Sequence, residues 1–561
     1  MSAGRRTELR LSRPGLVLIG ILLLALVLRL KGIHDPILDH PGWRQGDTAA
    51  IARNFARLDY NPLHPQTDYD GPPPNYVELE LQIVPFIAAT LYKIFGVHEV
   101  FGRLISLGFS LLTVALLYAF GSWLFGVPGK RNEVAGLGAA LTLALYPGSV
   151  YYGRTFMPDT AMVFFATAAV YAAARWIVDD EAAWGSRMFT AGVTAALAVL
   201  AKPVAAVVLL PIFAALLARN GARALLRPAT WLFAALALAP YLAYDAYVRS
   251  IAEWHWASGI AAKHVVPELL AAFASPAAFA AKLGLFRDAL GMLAATMLGP
   301  VGAGLFVLSI VTPVRPRSRA LLWGWLAGGL LYAFVVVTVE RVDYYLYLLL
   351  PLAALWAGGL AARVADVTAT RPAPRALAAA AACIAAAGLL YTGHVAVRAY
   401  YHYPAAVYRR AKALDATLAP GALVVMAHYD PSVLYYIGRK GWEEDPRLWT
   451  PFDEESAIRK GARYFISIED GRLLRNLELC HWLERFPLLD PAAAWPVYQT
   501  DPALQLSGAD ARWRAFRKAE ASGTSPACPP RTTGAATESL RPSMPSRRPP
   551  APSPTPPNGG S

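Results

Sequence analysis

The feature that most constrains this chain is the recurrence of long apolar runs, about 11 of them, between residues 16 and 397. Each reaches or approaches the roughly 20 residues that carry a helix across a bilayer. Period-two alternation of the kind that builds membrane barrels is absent from them, so the spans read as helices. With 56% hydrophobic and only 16% charged residues, the chain is a polytopic membrane protein. Its net charge of +13 is then mostly a matter of Lys and Arg in cytoplasmic loops. No basic-aromatic pattern argues for nucleic acid. Cys383, Cys480 and Cys528 show neither metal spacing nor a disulfide framework.

Charge asymmetry orients the spans. Arg5, Arg6, Arg10 and Arg13 precede the first run (16–30), and Leu-Arg-Leu-Lys follows it in place of a small-residue cleavage site. The first span is therefore uncleaved and leaves the N-terminus inside. Residues 31–102 form a long outer loop, broken by Pro62, Pro65 and Pro72-Pro73-Pro74. Within it 81–95 is apolar but short, and reads as an interfacial or re-entrant helix. The later spans fall at 103–125, 134–150, 160–178, 187–201, 203–218, 229–248, 286–312, 320–339, 343–364 and 374–397. This counting puts Lys130-Arg131, the 179–187 loop, Arg219 to Arg227, Arg315 to Arg319, and Arg371 with Arg375 on one side, as the positive-inside rule requires.

Just after the first span, turn residues 39–42 give way to Asp47-Thr48. These two look like a helix start, with Asp47 as an N-cap or first-turn carboxylate. Ile51, Phe55 and Leu58 follow at helical spacing, an amphipathic pattern suited to the membrane interface. Beyond Arg398 the composition changes. A helix at 405–418, strands at 421–428 and 462–468, and helices at 431–437 and 472–485 predict a small α/β domain outside the membrane. From about Gly523 the chain is rich in Pro, Ser and Arg without apolar periodicity, and predicts disorder. The domains expected are thus 1–397, 398–522 and the 523–561 tail.

Several stretches resemble the GT-C membrane glycosyltransferases, in particular the branch of protein O-mannosyltransferases and lipid A aminoarabinose transferases. Asp47-Thr48-Ala49-Ala50-Ile51-Ala52-Arg53 resembles its first-loop acidic motif. Pro72-Pro73-Pro74-Asn75-Tyr76, Leu91 to Val97, and Phe101-Gly102-Arg103-Leu104 are similar to segments that follow that motif. Tyr146-Pro147 through Arg154 and Asp159 resembles a second acidic site, and Ala201-Lys202-Pro203 a basic turn. Tyr344-Tyr345-Leu346-Tyr347 with Pro351 resembles a late span. The likeness runs in order over residues 10–365. It departs at Thr48, where the family usually carries a second acid, and at Gly71, where the lipid A relatives carry Lys.

The resemblance implies an all-α GT-C fold with about 11 spans and a long first extracytoplasmic loop, beside the small α/β domain. It implies transfer of a sugar from a polyprenyl phosphate to a hydroxyl acceptor of the cell envelope, at the outer face of the inner membrane. Asp47 is then the general base, against the plainer role of capping its helix, and Asp39 is a local competitor with a turn role. Arg44, Arg53 and Lys202 are candidates for the donor phosphate. Arg154 and Asp159 are either substrate ligands or a structural ion pair. Lys202 either meets a phosphate or snorkels. Arg341, Tyr344 and Tyr345 either donate to phosphate or belong to an aromatic belt. Glu78, Glu80 and His255 are the residue types of a divalent metal site, a metal ion being the one candidate cofactor. A multi-span transporter or lipid flippase is the rival class. The internal repeats expected of inverted-repeat transporters are not found.

Overall fold

The computed structural model describes residues 12–179, 184–252, 259–369 and 372–528. Arg5, Arg6, Arg10, the Trp254-His255-Trp256 cluster, Arg371 and the tail beyond 528 lie outside the described residues.

The membrane part is helical: α1 (Arg13–Arg29), α2 (Gly42–Arg57), α3 (Ile83–Phe95), α4 (Glu99–Leu124), α5 (Glu133–Leu145), α6 (Pro147–Tyr152), α7 (Asp159–Val178) and α8 (Trp184–Ala201). A 3-10 turn, Pro203–Val208, leads to α9 (Leu209–Asn220), then α10 (Pro228–Ile251), α11 (Val266–Ala272), α12 (Pro276–Met292) and α13 (Gly299–Val311). The last group is α14 (Arg319–Tyr332), α15 (Thr338–Glu340), α16 (Leu350–Thr368) and α17 (Pro372–Val397). Among the described residues seven helical segments are long and apolar enough to cross a bilayer, and a bent pair makes an eighth. The other three expected spans fall on the shorter α1, α5 and α8. The apolar α3 is 13 residues, too short to span upright, as its run predicts.

Two expected spans are not continuous. The segment expected at 286–312 bends by 113° between Pro276–Met297 and Gly299–Val311. A π-turn at Leu293–Met297 widens the helix, and Gly299 at φ +70° followed by Pro300 breaks its ladder. The segment expected at 134–150 ends at Tyr146, where Pro147 starts α6 afresh. Small residues set the closest helix approach. A Cβ on Gly358 of α16 would run into the Ala135 carbonyl of α5.

The bundle has two chemically distinct ends. At one, Arg317 donates to the Leu124 and Gly126 carbonyls at 2.7 and 3.2 Å and meets Asp179 at 3.4 Å. Arg187 reaches the same carboxylate at 3.6 Å. At the other end the Leu81 amide donates to Leu200 at 2.8 Å, Tyr244 to the Glu80 carbonyl at 3.2 Å, and Tyr152 to Asp343 at 2.6 Å. Of the basic loops predicted to share a side, those after α4 and α7 and the one holding Arg317 meet at the first of these ends.

The C-terminal domain begins with α18 (Ala405–Thr417). Its sheet has strands β1 (Leu423–Ala427), β2 (Lys440–Glu443), β3 (Ala462–Ser467) and β4 (Val497–Gln499) in the order β2-β1-β3-β4. The first three are parallel and β4 is antiparallel to β3. Helix α19 (Pro431–Ile437) links β1 to β2, and α20 (Pro451–Arg459) links β2 to β3. β2 and β4 are too short to read from the sequence. The helix expected at 472–485 is two, α21 (Asp470–Leu473) and α22 (Leu477–Leu483), because Asn476 caps the second. A final helix, α23 (Ala509–Ala521), precedes a disulfide between Cys480 and Cys528, a pair the cysteine spacing does not reveal.

This domain sits on the first loop. The Gly71 amide donates to the Gly441 carbonyl at 2.8 Å and the Gly441 amide to Asp68 at 2.9 Å, so the loop extends the β2 edge. Gly46 of α2 lies against the Ser432 backbone so closely that any Cβ there would overlap it.

Candidate active site

The start of α2 is fixed by Pro41, which supplies the N-cap position, and not by Asp47. Asp47 therefore lies inside the helix, where a side chain caps nothing. The helix is also no interfacial one. Most of its residues are buried, with α3 on one side and α19 on another. Of the apolar pattern that suggested a membrane surface, Ile51 and Phe55 are buried against protein and Leu58, past the helix end, is exposed.

Asp47 is 3% exposed and its Oδ1 has no hydrogen-bond partner among the described residues. Burial pushes its carboxyl up from 3.8 to about 7, reinforced by Asp430 and Glu80 and opposed by the Arg44 charge and a hydrogen bond with Tyr69. A carboxyl with a free oxygen, poised near neutrality and held by a rigid helix, has the attributes of a general base.

Around it the structure gathers several of the predicted residues. Arg44, one turn earlier on α2, is ion-paired with Glu80 and lies within electrostatic reach of Asp47, Asp159 and Tyr344. Lys202, between α8 and the 3-10 turn, donates to Asp159 Oδ1 at 2.8 Å. Its ammonium sits 4.6 Å from the Tyr344 ring centre and 4.2 Å from that of Tyr345. The two tyrosines stack at 4.9 Å, and Tyr332 fixes the Tyr345 carbonyl at 3.0 Å. Asp159 Oδ2 is buried without a hydrogen-bond partner among the described residues. Arg341, at φ +53°, is exposed at the same end and spends its Nε on the Thr338 carbonyl at 3.2 Å. A π-turn (Ala333–Val337) and a 3-10 segment (Asp343–Leu349) flank this group, the irregular helix geometry that often marks a site.

Two predicted residues are employed elsewhere. Arg154 does not pair with Asp159; it donates to Asp39 at 2.6 Å and to the Gly32 carbonyl at 3.1 Å. Arg53 pairs with Asp68, donates to the Tyr435 carbonyl at 2.9 Å and stacks over the Tyr435 ring at 4.3 Å, which anchors the C-terminal domain. Asp39 has more than a turn role: Arg103 at 2.8 Å, Arg154 and Gln45 all converge on it. The metal candidates separate too. Glu78 meets Arg249 at 2.9 Å, Glu80 is taken by Arg44, and His255 is outside the described residues. Among the described residues no three His, Cys, Asp or Glu side chains are arranged to hold a metal ion.

Three residues near Asp47 go unforeseen in the sequence: Tyr69 from the first loop, and Asp430 and Glu443 from the C-terminal domain. The acidic run Glu443-Glu444-Asp445 is the one signal that points to the last of them.

The fold is that of a multi-pass membrane protein of the GT-C class. A family model described as dolichyl-phosphate-mannose-protein mannosyltransferase matches residues 82–244, from α3 into α10. The chain is similar to the crystal structure of ArnT from Cupriavidus metallidurans in the apo state, with a TM-score of 0.58 and 15% identity over 87% of this chain and 98% of that one. ArnT bound to undecaprenyl phosphate matches with a TM-score of 0.56 and 14% identity, over 88% of this chain and 100% of that one. The oligosaccharyltransferase AglB from Archaeoglobus fulgidus, with an inhibitory peptide and a dolichol-phosphate, matches with a TM-score of 0.52 and 13% identity, over 88% of this chain and 74% of that one. At these identities the likeness is one of fold. No curated protein sequence matches the chain.

Proposed function

We propose that the protein is a membrane glycosyltransferase that moves a sugar from a polyprenyl phosphate to a hydroxyl acceptor by single displacement, with Asp47 as base. The acceptor O–H gives its proton to Asp47 Oδ1 while its oxygen bonds to the anomeric carbon. The bond from that carbon to the phosphate oxygen breaks with inversion, and the polyprenyl phosphate leaves with the electron pair. This leaving group is already a stable anion, so no general acid is needed, and nearby cations lower the barrier further. Arg44 and Lys202 are those cations, with Tyr344, Tyr345 and Arg341 completing the phosphate side; Asp159 holds Lys202 in place.

One observation carries this reading: a buried carboxylate oxygen without a hydrogen-bond partner among the described residues, on a rigid helix at the bundle end where two cations converge. The lipids named with the similar structures, undecaprenyl phosphate and dolichol-phosphate, fit the same donor class. The site end faces the outside of the cytoplasmic membrane in this reading, since Arg317 and its basic neighbours occupy the opposite end. The test is to incubate purified protein with a panel of polyprenyl-phosphate sugars and measure polyprenyl phosphate release. Release from at least one donor, dependent on an added hydroxyl acceptor, is expected; none from any of them would contradict it.

A further inference from the structure

Parallel sheets bind ligands in the crevice at the carboxyl ends of their strands, where the strand order reverses. In the C-terminal domain that crevice lies between β1 and β3, because the chain leaves β1 for β2 on one flank and crosses to β3 on the other. Directly beyond those two strands His428 Nδ1 and Glu469 Oε1 lie 2.7 Å apart. The same edge is turned toward α2, since Ser432, just past β1, packs on Gly46.

Glu443, the last residue of β2, is 2% exposed, and neither of its carboxyl oxygens has a hydrogen-bond partner among the described residues. Buried polar atoms in that condition are rare and call for a ligand or water. The largest charge effects on it come from Asp47, then Asp430, Asp70 and Glu444, all acids. Burial raises the Glu443 carboxyl well above its ordinary range, and Glu444 to about 8. The shift favours the protonated form, and a neutral carboxyl both donates and accepts. That chemistry matches a hydroxyl and offers little to a cation. Tyr429, on the same edge, leaves 37% of its surface exposed, a ring against which a sugar face can lie. An extended peptide would want a free strand edge. The β2 edge is already used by the Asp68 and Gly71 backbone.

We propose that this carboxyl edge is the acceptor side of the active site and that it takes a carbohydrate, Glu443 hydrogen-bonding one sugar hydroxyl while a neighbouring hydroxyl meets Asp47. The assignment rests on the glycosyltransferase reading for its consequence, but the binding itself can be measured without turnover.

The experiment is saturation-transfer NMR on the full chain in lipid nanodiscs, free of sugar detergents. The probes are methyl hexopyranosides, methyl pentopyranosides, short oligosaccharides and Ser/Thr peptides. A parallel titration measures undecaprenyl phosphate binding. Wild type should bind a subset of the glycans. Glu443→Leu, which fills the space without polar atoms, should weaken that binding at least tenfold, and Glu443→Gln, which mimics the protonated form, should restore it. Undecaprenyl phosphate should bind all three proteins alike. Glycan binding indifferent to Glu443→Leu, peptide binding in place of glycan binding, or no glycan binding by wild type would each overturn the proposal. Glycan binding with the expected variant pattern, but without undecaprenyl phosphate binding, would uphold the acceptor site and sink the donor half of the proposed function.

Discussion

Arg154 donates to Asp39 across 2.6 Å with neither side chain touching solvent. Arg103 takes the other carboxylate oxygen at 2.8 Å, so one buried acid bridges cations from α4 and from the segment after α6. Breaking a buried pair from one side strands a charge and costs about 3–5 kcal/mol. Asp39→Asn should lower the thermal midpoint of the detergent-solubilised protein accordingly. Arg154→Met leaves the Arg103 pair standing and should cost less. Equal stability of the Asp39→Asn and wild-type proteins would show that the triad is not what joins these segments.

The pH response of Asp47 has a definite sign. Its carboxyl is raised from 3.8 to about 7, so between those values the folded chain holds a proton that the unfolded chain has lost. Stability contributed by this group is full below pH 4 and falls as pH rises to about 7, by up to about 4 kcal/mol at 1.36 kcal/mol per pH unit. Catalysis runs the other way, since the base must be ionised: turnover should climb through pH 7 and level off above it. Asp47→Asn should abolish its share of the stability slope, seen as a smaller drop in thermal midpoint between pH 5 and 8.

Orientation can be read with an impermeant thiol reagent in intact cells. Asp47, Asp159 and Ser432 are buried, so exposed positions on the same end serve as reporters: Leu63 in the first loop and Phe452 in the C-terminal domain. Cys383 is free and exposed and must first be replaced. Cysteines at Leu63 and Phe452 should label and one at Val127, on the Arg317 end, should not. Labelling at Val127 alone would invert the topology.

Gly46 has a packing reason that no local rule supplies. Gly46→Val would force α2 and the Ser432 backbone apart, and overpacking of this kind costs about 1–3 kcal/mol. Hydrogen exchange should speed up in α19 and β2 while the spans stay protected. Unchanged exchange there would mean the domain is held by Arg53 and the Gly71–Gly441 ladder alone.

What could be read in the sequence follows from how far each interaction reaches along the chain. Hydropathy is local, so each expected span finds its helix, although the bend at Gly299 depends on neighbours the run does not mention. Lys202 and Tyr344-Tyr345 stand out because polar groups at span ends are few, and the structure does bring them together. Arg154 misleads by the same logic. Asp159 is its near neighbour in sequence, yet its partner is Asp39, 115 residues away. Asp47 looks like a cap because the turn residues sit just before it, whereas Pro41 already fixes the helix start. Glu443 shows in the sequence only as part of an acidic run: a four-residue strand carries too little periodicity, and its partners across the site, Asp47 and Asp70, lie far away in the chain.

The central claim is that Asp47 takes the acceptor proton, and Asp47→Asn tests it most directly. Asn keeps the size of the side chain and removes a buried charge, so the protein should fold at least as well. Undecaprenyl phosphate binding should persist, because losing a carboxylate does not weaken the hold of Arg44 and Lys202 on an anion. Release of polyprenyl phosphate from the sugar donor, with acceptor present, should fall by about 10²–10⁴-fold. Near-normal release by a well-folded Asp47→Asn protein would contradict the account and move the base to another carboxylate of the site, Asp159 first, whose Oδ2 also has no hydrogen-bond partner among the described residues.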